Sequence, residues 1–374
     1  MKKRAICVLL TLCILLSGCS SMLNREYASV TPHSATPAAD GDPSVLRVER
    51  YQELVNALVY LISLGRESGS VRLYMESDAV KQSLEDACLE VVQKDPLGAY
   101  AVDFITYSLT PSVSCYQADL QIAYRRTVDQ IASIISATGA TAIRGALKTA
   151  LAQFSPEAVL RISYFVEDED YIRELVEEAF YSAPLTAIDL PDAAISIYPD
   201  SGRQRIVEVL LSYHSPHSVL EERSAALKAK AEQLTALLGT RLGDQKILSA
   251  AAQVLAQGGY QPENGYTAYQ ALLGGGADSS GLALALTLLC QELEVPCQVA
   301  RGSLGGEAHY WNVVQTETGY QHLDLTAGVV GAESFFSDQE LEVMGYDWDI
   351  NSTPPCALRE GRTPVSRPER TDFS

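Results

Sequence analysis

Apolar positions in the first half of the chain follow helical and strand rhythms in turn. Leu54, Leu58, Leu61 and Ile62 recur at helical spacing, and Val71, Leu73 and Met75 then alternate with polar neighbours as in a strand. A second helix is expected over 79–92, followed by two strands, the later one ending in Leu120-Gln121-Ile122-Ala123-Tyr124. The same order returns further on, with helices over 143–152 and 170–181 and strands over 160–164, 194–198 and 207–213. Val71-Arg72-Leu73 is echoed by Leu160-Arg161-Ile162, and Ile122-Ala123-Tyr124 by Leu211-Ser212-Tyr213 at the same spacing. Residues 46–130 and 131–215 thus read as two α+β units of helix–strand–helix–strand–strand order, either duplicated or alike in architecture only.

The pattern changes after these units. Residues 216–242 carry charges around one apolar stripe and read as a connecting helix. Within 243–350, a helix is expected over 245–257. Leu282, Leu286, Leu289, Cys290 and Leu293 form one face of another helix, whose amino end falls at Ser279. Trp311-Asn312-Val313-Val314 and Tyr320-Gln321-His322-Leu323-Asp324-Leu325 read as a hairpin around Glu317-Thr318-Gly319, so the fold class of this part is also α+β. Gly302, Gly305 and Gly306 are expected in a loop before His309.

The two ends are of another kind. Lys2-Lys3-Arg4 precedes an apolar run that closes on Leu16-Ser17-Gly18-Cys19. This resembles a bacterial lipoprotein signal, the competing reading being an ordinary secretory signal with a chance cysteine. The resemblance implies removal of residues 1–18, lipid on Cys19, and a lipid-anchored place on the extracytoplasmic face of a cell membrane. Two acyl chains, at about 0.8 kcal/mol per buried methylene, suffice for stable anchoring. Residues 19–45 read as a flexible tether, and 351–374, with Pro354-Pro355, as a tail.

Charge narrows the list of partners. The chain has 28 Lys and Arg against 47 Asp and Glu, a formal net charge of −19, which argues against nucleic acid. Beyond the signal and Cys19, the cysteines Cys88, Cys115, Cys290, Cys297 and Cys356 show no paired metal-ligand spacing. They read as small buried residues, with a Cys88–Cys115 bridge left open.

Gly276-Ala277-Asp278-Ser279-Ser280-Gly281-Leu282-Ala283, Glu294-Val295-Pro296-Cys297, His309-Tyr310-Trp311-Asn312 and His322-Leu323-Asp324 follow one another in short order. Together they are similar to the transglutaminase-like superfamily, whose catalytic logic is papain-like. In that family a cysteine at the first turn of a helix, a histidine and an aspartate form a triad. The resemblance implies Ser279, His309 and Asp324 as the corresponding site, with serine standing where the family has cysteine. His309, His322 and Asp324 could imitate a metal set but lack a fourth ligand at suitable spacing, so no metal and no cofactor are expected; the resemblance supplies a peptide or cell-wall segment as the partner. Tyr310, Trp311 and His322 are further cleft candidates; His322, on the strand face of Asp324, is as readily a half-exposed strand residue.

The serine matters because a helix terminus and an imidazolium make a thiol ionise, whereas a hydroxyl needs a base to remove its proton during attack. Asp278, Ser279 and Ser280 are also all good helix N-caps, which explains the position without any reaction. Three functions follow from this reading. The first is a degenerate, binding or scaffolding domain, and the second an acyl-transfer enzyme using Ser279, His309 and Asp324. The third is an interaction protein acting through the amino-terminal units.

Overall fold

The computed structural model describes residues 37–76, 79–236, 238 and 240–359. Cys19, the signal over 1–18 and residues 360–374 lie outside the described residues. The chain forms two compact units, the first holding residues up to Leu147, Glu157–Leu175 and Ala193–Leu211, the second Lys148–Pro156, Val176–Asp192 and Ser212 onward. Both are α+β.

In the first unit, β1 (Ala39–Asp40), β2 (Asp42–Val48), α1 (Tyr51–Ser63), β3 (Ser68–Leu73), α2 (Val80–Lys94), α3 (Pro96–Ala101), β4 (Val102–Pro111) and β5 (Tyr116–Tyr124) come first. Then follow α4 (Val128–Ala132), β6 (Ile135–Ala137), α5 (Ala140–Ala152), β7 (Glu157–Ile162), α6 (Glu169–Tyr181), β8 (Asp192–Tyr198) and β9 (Arg205–Ser212), of which α5 from Lys148 and α6 from Val176 onward belong to the second unit. The two sheets are ordered β1-β2-β3-β5-β4 and β6-β7-β9-β8. β2 runs parallel to β3 and β6 parallel to β7, each pair joined through a helix, and β3–β5 and β7–β9 are antiparallel. Beyond the sequence reading, each set of elements therefore gains a leading strand. β2 also shows that folded chain begins before residue 45, inside the segment read as tether.

The apolar stripe of α1 explains the packing. Leu54, Leu58 and Ile62 are fully buried against Val71 and Leu73 of β3, Leu84 and Val91 of α2 and Leu120 of β5. Val159 and Ile206 belong to the same core, so both sheets share it. A buried polar knot accompanies it. Arg126 pairs with Glu208 at 2.8 Å, Tyr198 donates to the same carboxylate oxygen at 3.3 Å, and the guanidinium lies over Tyr100. Such a pair fixes geometry more than it adds stability. Cys88 and Cys115 are both free; Cys88 is buried, and burial pushes its thiol up to about 11.

The second unit contains α7 (His217–Ala236), α8 (Gly243–Leu255), α9 (Ala268–Leu273), α10 (Ser279–Glu292), β10 (Cys297–Leu304), β11 (Glu307–Thr316), β12 (Gly319–Leu323), β13 (Phe335–Phe336), α11 (Asp338–Met344) and β14 (Tyr346–Trp348). Its sheet is ordered β13-β12-β11-β10-β14, and α10 packs on β10 and β11. All twelve residues from Ser279 to Cys290 are buried. Part of the segment read as tail adds to this unit. Cys356 is buried, its carbonyl accepting from the Asp338 amide and its amide donating to Asp338 Oδ2 at 3.0 Å; Ala357 O accepts from Gln321 Nε2 at 2.7 Å, and Arg359 pairs with Asp244. The prolines that suggest a linker only extend the chain toward these anchors.

Truncating Leu58 removes a fully buried branched side chain from the shared core. Leu58→Ala is expected to destabilise the first unit by about 2–5 kcal/mol, read as a lowered denaturant midpoint; a midpoint equal to that of the native chain would contradict the packing described.

Candidate active site

Local sequence fixes where α10 begins. Asp278 is extended, and its Oδ1 accepts from the Gly281 amide at 2.9 Å and the Ser280 hydroxyl at 2.7 Å. The cap is therefore Asp278, and Ser279 is the first helical residue. A Cβ on Gly281 would stand 2.5 Å from Ala277 Cβ and 2.9 Å from Thr267 O, so only glycine lets the start of α9 approach this turn. Ser280 Oγ also donates to Tyr266 O at 3.2 Å.

The sheet then brings the other groups up to this turn. Asn312 of β11 donates through Nδ2 to Ala283 O and Thr287 Oγ1, both at 2.9 Å, which staples the strand to α10. His309, three residues earlier on β11, pairs through Nε2 with Asp324 Oδ2 at 2.7 Å. Asp324 lies just past β12, where its Oδ1 accepts from the Thr326 amide at 2.8 Å and its Oδ2 from the Tyr346 hydroxyl at 2.6 Å. Burial works to raise the Asp324 pKa, but hydrogen bonds from His309, Tyr346 and Thr326 outweigh it and hold the carboxyl below its ordinary range. An ionised carboxylate only accepts, so His309 Nε2 carries a proton, and in the neutral ring Nδ1 is the acceptor. Burial and the Asp324 charge together push the Tyr346 hydroxyl upward, keeping it a donor.

Ser279, His309 and Asp324 are 8%, 8% and 9% exposed and come together around the end of α10. Ser279 Oγ accepts from the Tyr310 backbone amide at 3.3 Å. Among the described residues no hydrogen bond joins it to the His309 ring. The imidazole is thus oriented as a base would be, while the hydroxyl it would deprotonate is engaged by the backbone instead.

The remaining cleft candidates separate. The Tyr310 ring lies tilted against that of Tyr181 of α6, with centroids 5.0 Å apart, and Phe180 and Tyr266 continue this aromatic group. Arg301 reaches Glu177 and Glu178 and lies 5.9 Å from the centre of the Tyr181 ring. Trp311 is 1% exposed and lies under His309, with ring centroids 6.2 Å apart. His322 is wholly buried behind Trp311. Trp311 Nε1 donates to His322 Nδ1 at 2.9 Å, and His322 Nε2 meets Asp338 Oδ1 at 2.8 Å. An indole N–H only donates, so Nδ1 accepts and His322 is a neutral ring whose proton sits on Nε2, facing Asp338.

This tautomer bears on metal binding. His322, Asp338 and Cys356 bring their ligand atoms within 4.8 Å of one another. A cation on Nε2 would need its lone pair, and with Nδ1 already accepting the ring would have to lose its one N–H proton and become an imidazolate. The donor set therefore fits a proton-sharing pair better than a metal. Cys290 and Cys297 lie at the far end of α10, where Cys297 Sγ accepts from Asn312 Nδ2 at 3.5 Å.

Tyr346, Asp338 and Tyr181 have no signal in the sequence pattern. Gly302 lies in β10 rather than in a loop. A Cβ there would stand 2.2 Å from Asp347 O and 2.9 Å from the Trp311 ring, so the glycine admits β14 and with it Tyr346. Gly305 and Gly306, both at positive φ, make the β10–β11 turn.

No family model matches the chain, and no curated protein matches it. Among solved structures, the chain is similar to a "TGase" at 12% identity, over 66% of this chain and 71% of that one, with a TM-score of 0.27. It is also similar to a "Putative Cysteine Protease from Cytophaga hutchinsonii" at 10% identity and a TM-score of 0.25, covering 39% of this chain. The chain spans 65% of the length of that protein. A "putative protease" from Parabacteroides distasonis follows at 10% identity, over 70% of this chain and 44% of that one, with a TM-score of 0.21.

Burial pushes the His322 pKa below its ordinary 6.5, the Asp338 interaction offsetting this only in part. Between the folded and unfolded values the unfolded chain binds a proton that the folded chain refuses, so stability rises with pH there. The second unit is expected to keep the full contribution above about pH 6.5 and to lose up to about 1.4 kcal/mol per pH unit below it from this one group. Denaturant midpoints followed across that range, with His322→Gln as comparison, check this. The variant should be less stable at neutral pH and show a flatter decline; an unchanged decline would remove His322 as its source.

Proposed function

We propose that the second unit is a transglutaminase-like domain that has lost turnover and holds an extended peptide or cell-wall segment without cleaving it. The observation that carries this reading is the engagement of Ser279 Oγ by the Tyr310 amide, not by the His309 ring. Ser279 Oγ accepts from that amide and donates no hydrogen bond to the His309 ring, the contact through which a base would remove its proton as attack begins. The aromatic group formed by Tyr181, Tyr266 and Tyr310 beside Ser279 supports the binding role, since such rings offer apolar area together with polar tips. The lipoprotein-like run ending at Cys19 supports placement on the extracytoplasmic face of a cell membrane, with the lipid as anchor.

A second reading rests on a different observation. Asp324 occupies His309 Nε2 and leaves Nδ1 as the acceptor, so the imidazole is still poised for a nucleophile. In the Ser-His-Asp template the carboxylate takes Nδ1 and Nε2 faces the serine; here the ring is used the other way round. On this reading Ser279 attacks an acyl group, His309 takes and returns the proton, and Asp324 orients the ring.

Acylation separates the two. The native protein is expected to remain unlabelled by a serine-directed fluorophosphonate. Ser279→Cys should react with a thiol-directed acyl probe at least ~100-fold faster than the same variant carrying His309→Ala, the range that general-base assistance supplies. Fluorophosphonate labelling of the native chain, abolished by Ser279→Ala, would establish the hydrolase instead. Failure of the native chain to retain either peptides or cell-wall fragments would remove the binding role.

A further inference from the structure

The first unit contains a cavity of about 120 Å³ that no part of the proposed acyl-binding cleft uses. It is lined by Tyr60 and Ser63 from the end of α1, by Asp95 and Leu97 around the start of α3, and by Arg161 of β7 and Gln204 just before β9. Two opposite charges line it without meeting. Arg161 is half-buried, its Nε is buried without a partner, and its side chain makes no hydrogen bond or ion pair among the described residues. Asp95 spends one oxygen, Oδ1, on the Leu97 and Gly98 amides at 2.9 and 3.0 Å, and its Oδ2 has no partner among the described residues. Burial raises the Asp95 pKa, while the Gly98 amide and the nearby Arg161 charge pull the other way. The Gln204 side chain is likewise without a hydrogen bond among the described residues.

A half-buried guanidinium whose Nε is shut off from water and a half-buried carboxylate are costly when left unpaired, and contact between them would be the simple remedy. Here they are close enough to feel each other's charge but stand more than an ion-pair distance apart. What fits between them is a group offering an anion to one and a cation to the other. The volume limits its size. It would hold several water molecules, yet it falls well below the roughly 300 Å³ at which pockets for drug-sized ligands begin.

We propose that this cavity is a binding site for a small zwitterion of the α-amino-acid class, its carboxylate on the Arg161 guanidinium and its ammonium on Asp95 Oδ2. Arg161 supplies the planar fork that matches a carboxylate, and Gln204 stands beside it as a neutral donor and acceptor. The site is independent of the Ser279 cleft and of whether that cleft reacts.

Calorimetric titration of the full chain with glycine and with alanine tests this, with acetate and methylammonium as probes carrying one charge each. At least one of the two amino acids is expected to bind saturably, and each single-charge probe at least about tenfold more weakly. Arg161→Gln should abolish binding, and Asp95→Asn should weaken it by at least about tenfold. Asp95 also caps α3, so Gln204→Ala, which removes no cap, serves as the variant least disturbing to the fold and should weaken binding a few-fold. Circular dichroism establishes that each variant is folded. Absence of saturable binding by both amino acids at millimolar concentration, acetate binding as tightly as glycine, or unchanged binding by folded Arg161→Gln would each overturn the proposal.

Discussion

The second unit depends on one constraint: its central helix is buried on every side. A surface helix leaves its polar groups to water, but along α10 each of them must find a partner within the protein. Ser280 finds Asp278 and the Tyr266 carbonyl, Thr287 finds Asn312, and the helix entrance is closed by the Asp278 cap. Those partners are the elements that form the site. The bond from Asn312 to α10 sets the height of β11 along the helix, and that height decides where His309 stands relative to Ser279. Gly281 belongs to the same constraint, since a side chain there would push α9 away from the helix entrance.

Two histidines on neighbouring strands illustrate how hydrogen-bond partners assign chemistry. His309 faces a carboxylate held ionised by three donors, so one ring nitrogen carries a proton and the other accepts. His322 receives an indole proton on one nitrogen and turns the other to Asp338, which spends both nitrogens and leaves the ring a fixed neutral element. Trp311 connects the two, stacking under the first and donating to the second. The orientation of His309 therefore rests on a layer that runs through Trp311 and His322 to Asp338, although His322 lies away from the serine.

Much of this was legible in the sequence because it depends on local rules. The stripe of Leu54, Leu58, Leu61 and Ile62 declares a helix, and Ser279, His309 and Asp324 lie in short, ordered segments whose elements follow from periodicity. Other parts depend on distant pairings. β6 has only three residues, too few for alternation to show, and β2 and β6 are strands because β3 and β7 accept them as parallel neighbours. Tyr346 reaches Asp324 because β14 pairs with β10 across Gly302, and a glycine between Arg301 and Ser303 looks like a loop until that neighbour is known. Cys356 sits behind two prolines, where only the Asp338 partner marks it as part of the core. The division between the two units does not follow the repeat of elements, since contacts and not chain order define it.

The chain has two tryptophans, Trp311 and Trp348, and both ring systems belong to the cluster around His322 in the second unit. Their intrinsic fluorescence is consequently an optical label placed by the fold itself. It observes the environment of the His309 and His322 layer and takes no signal from the first unit, whose aromatic residues are tyrosine and phenylalanine. Emission selected for indole follows one unit of this chain without any introduced dye, and tyrosine emission or circular dichroism is needed to follow the other.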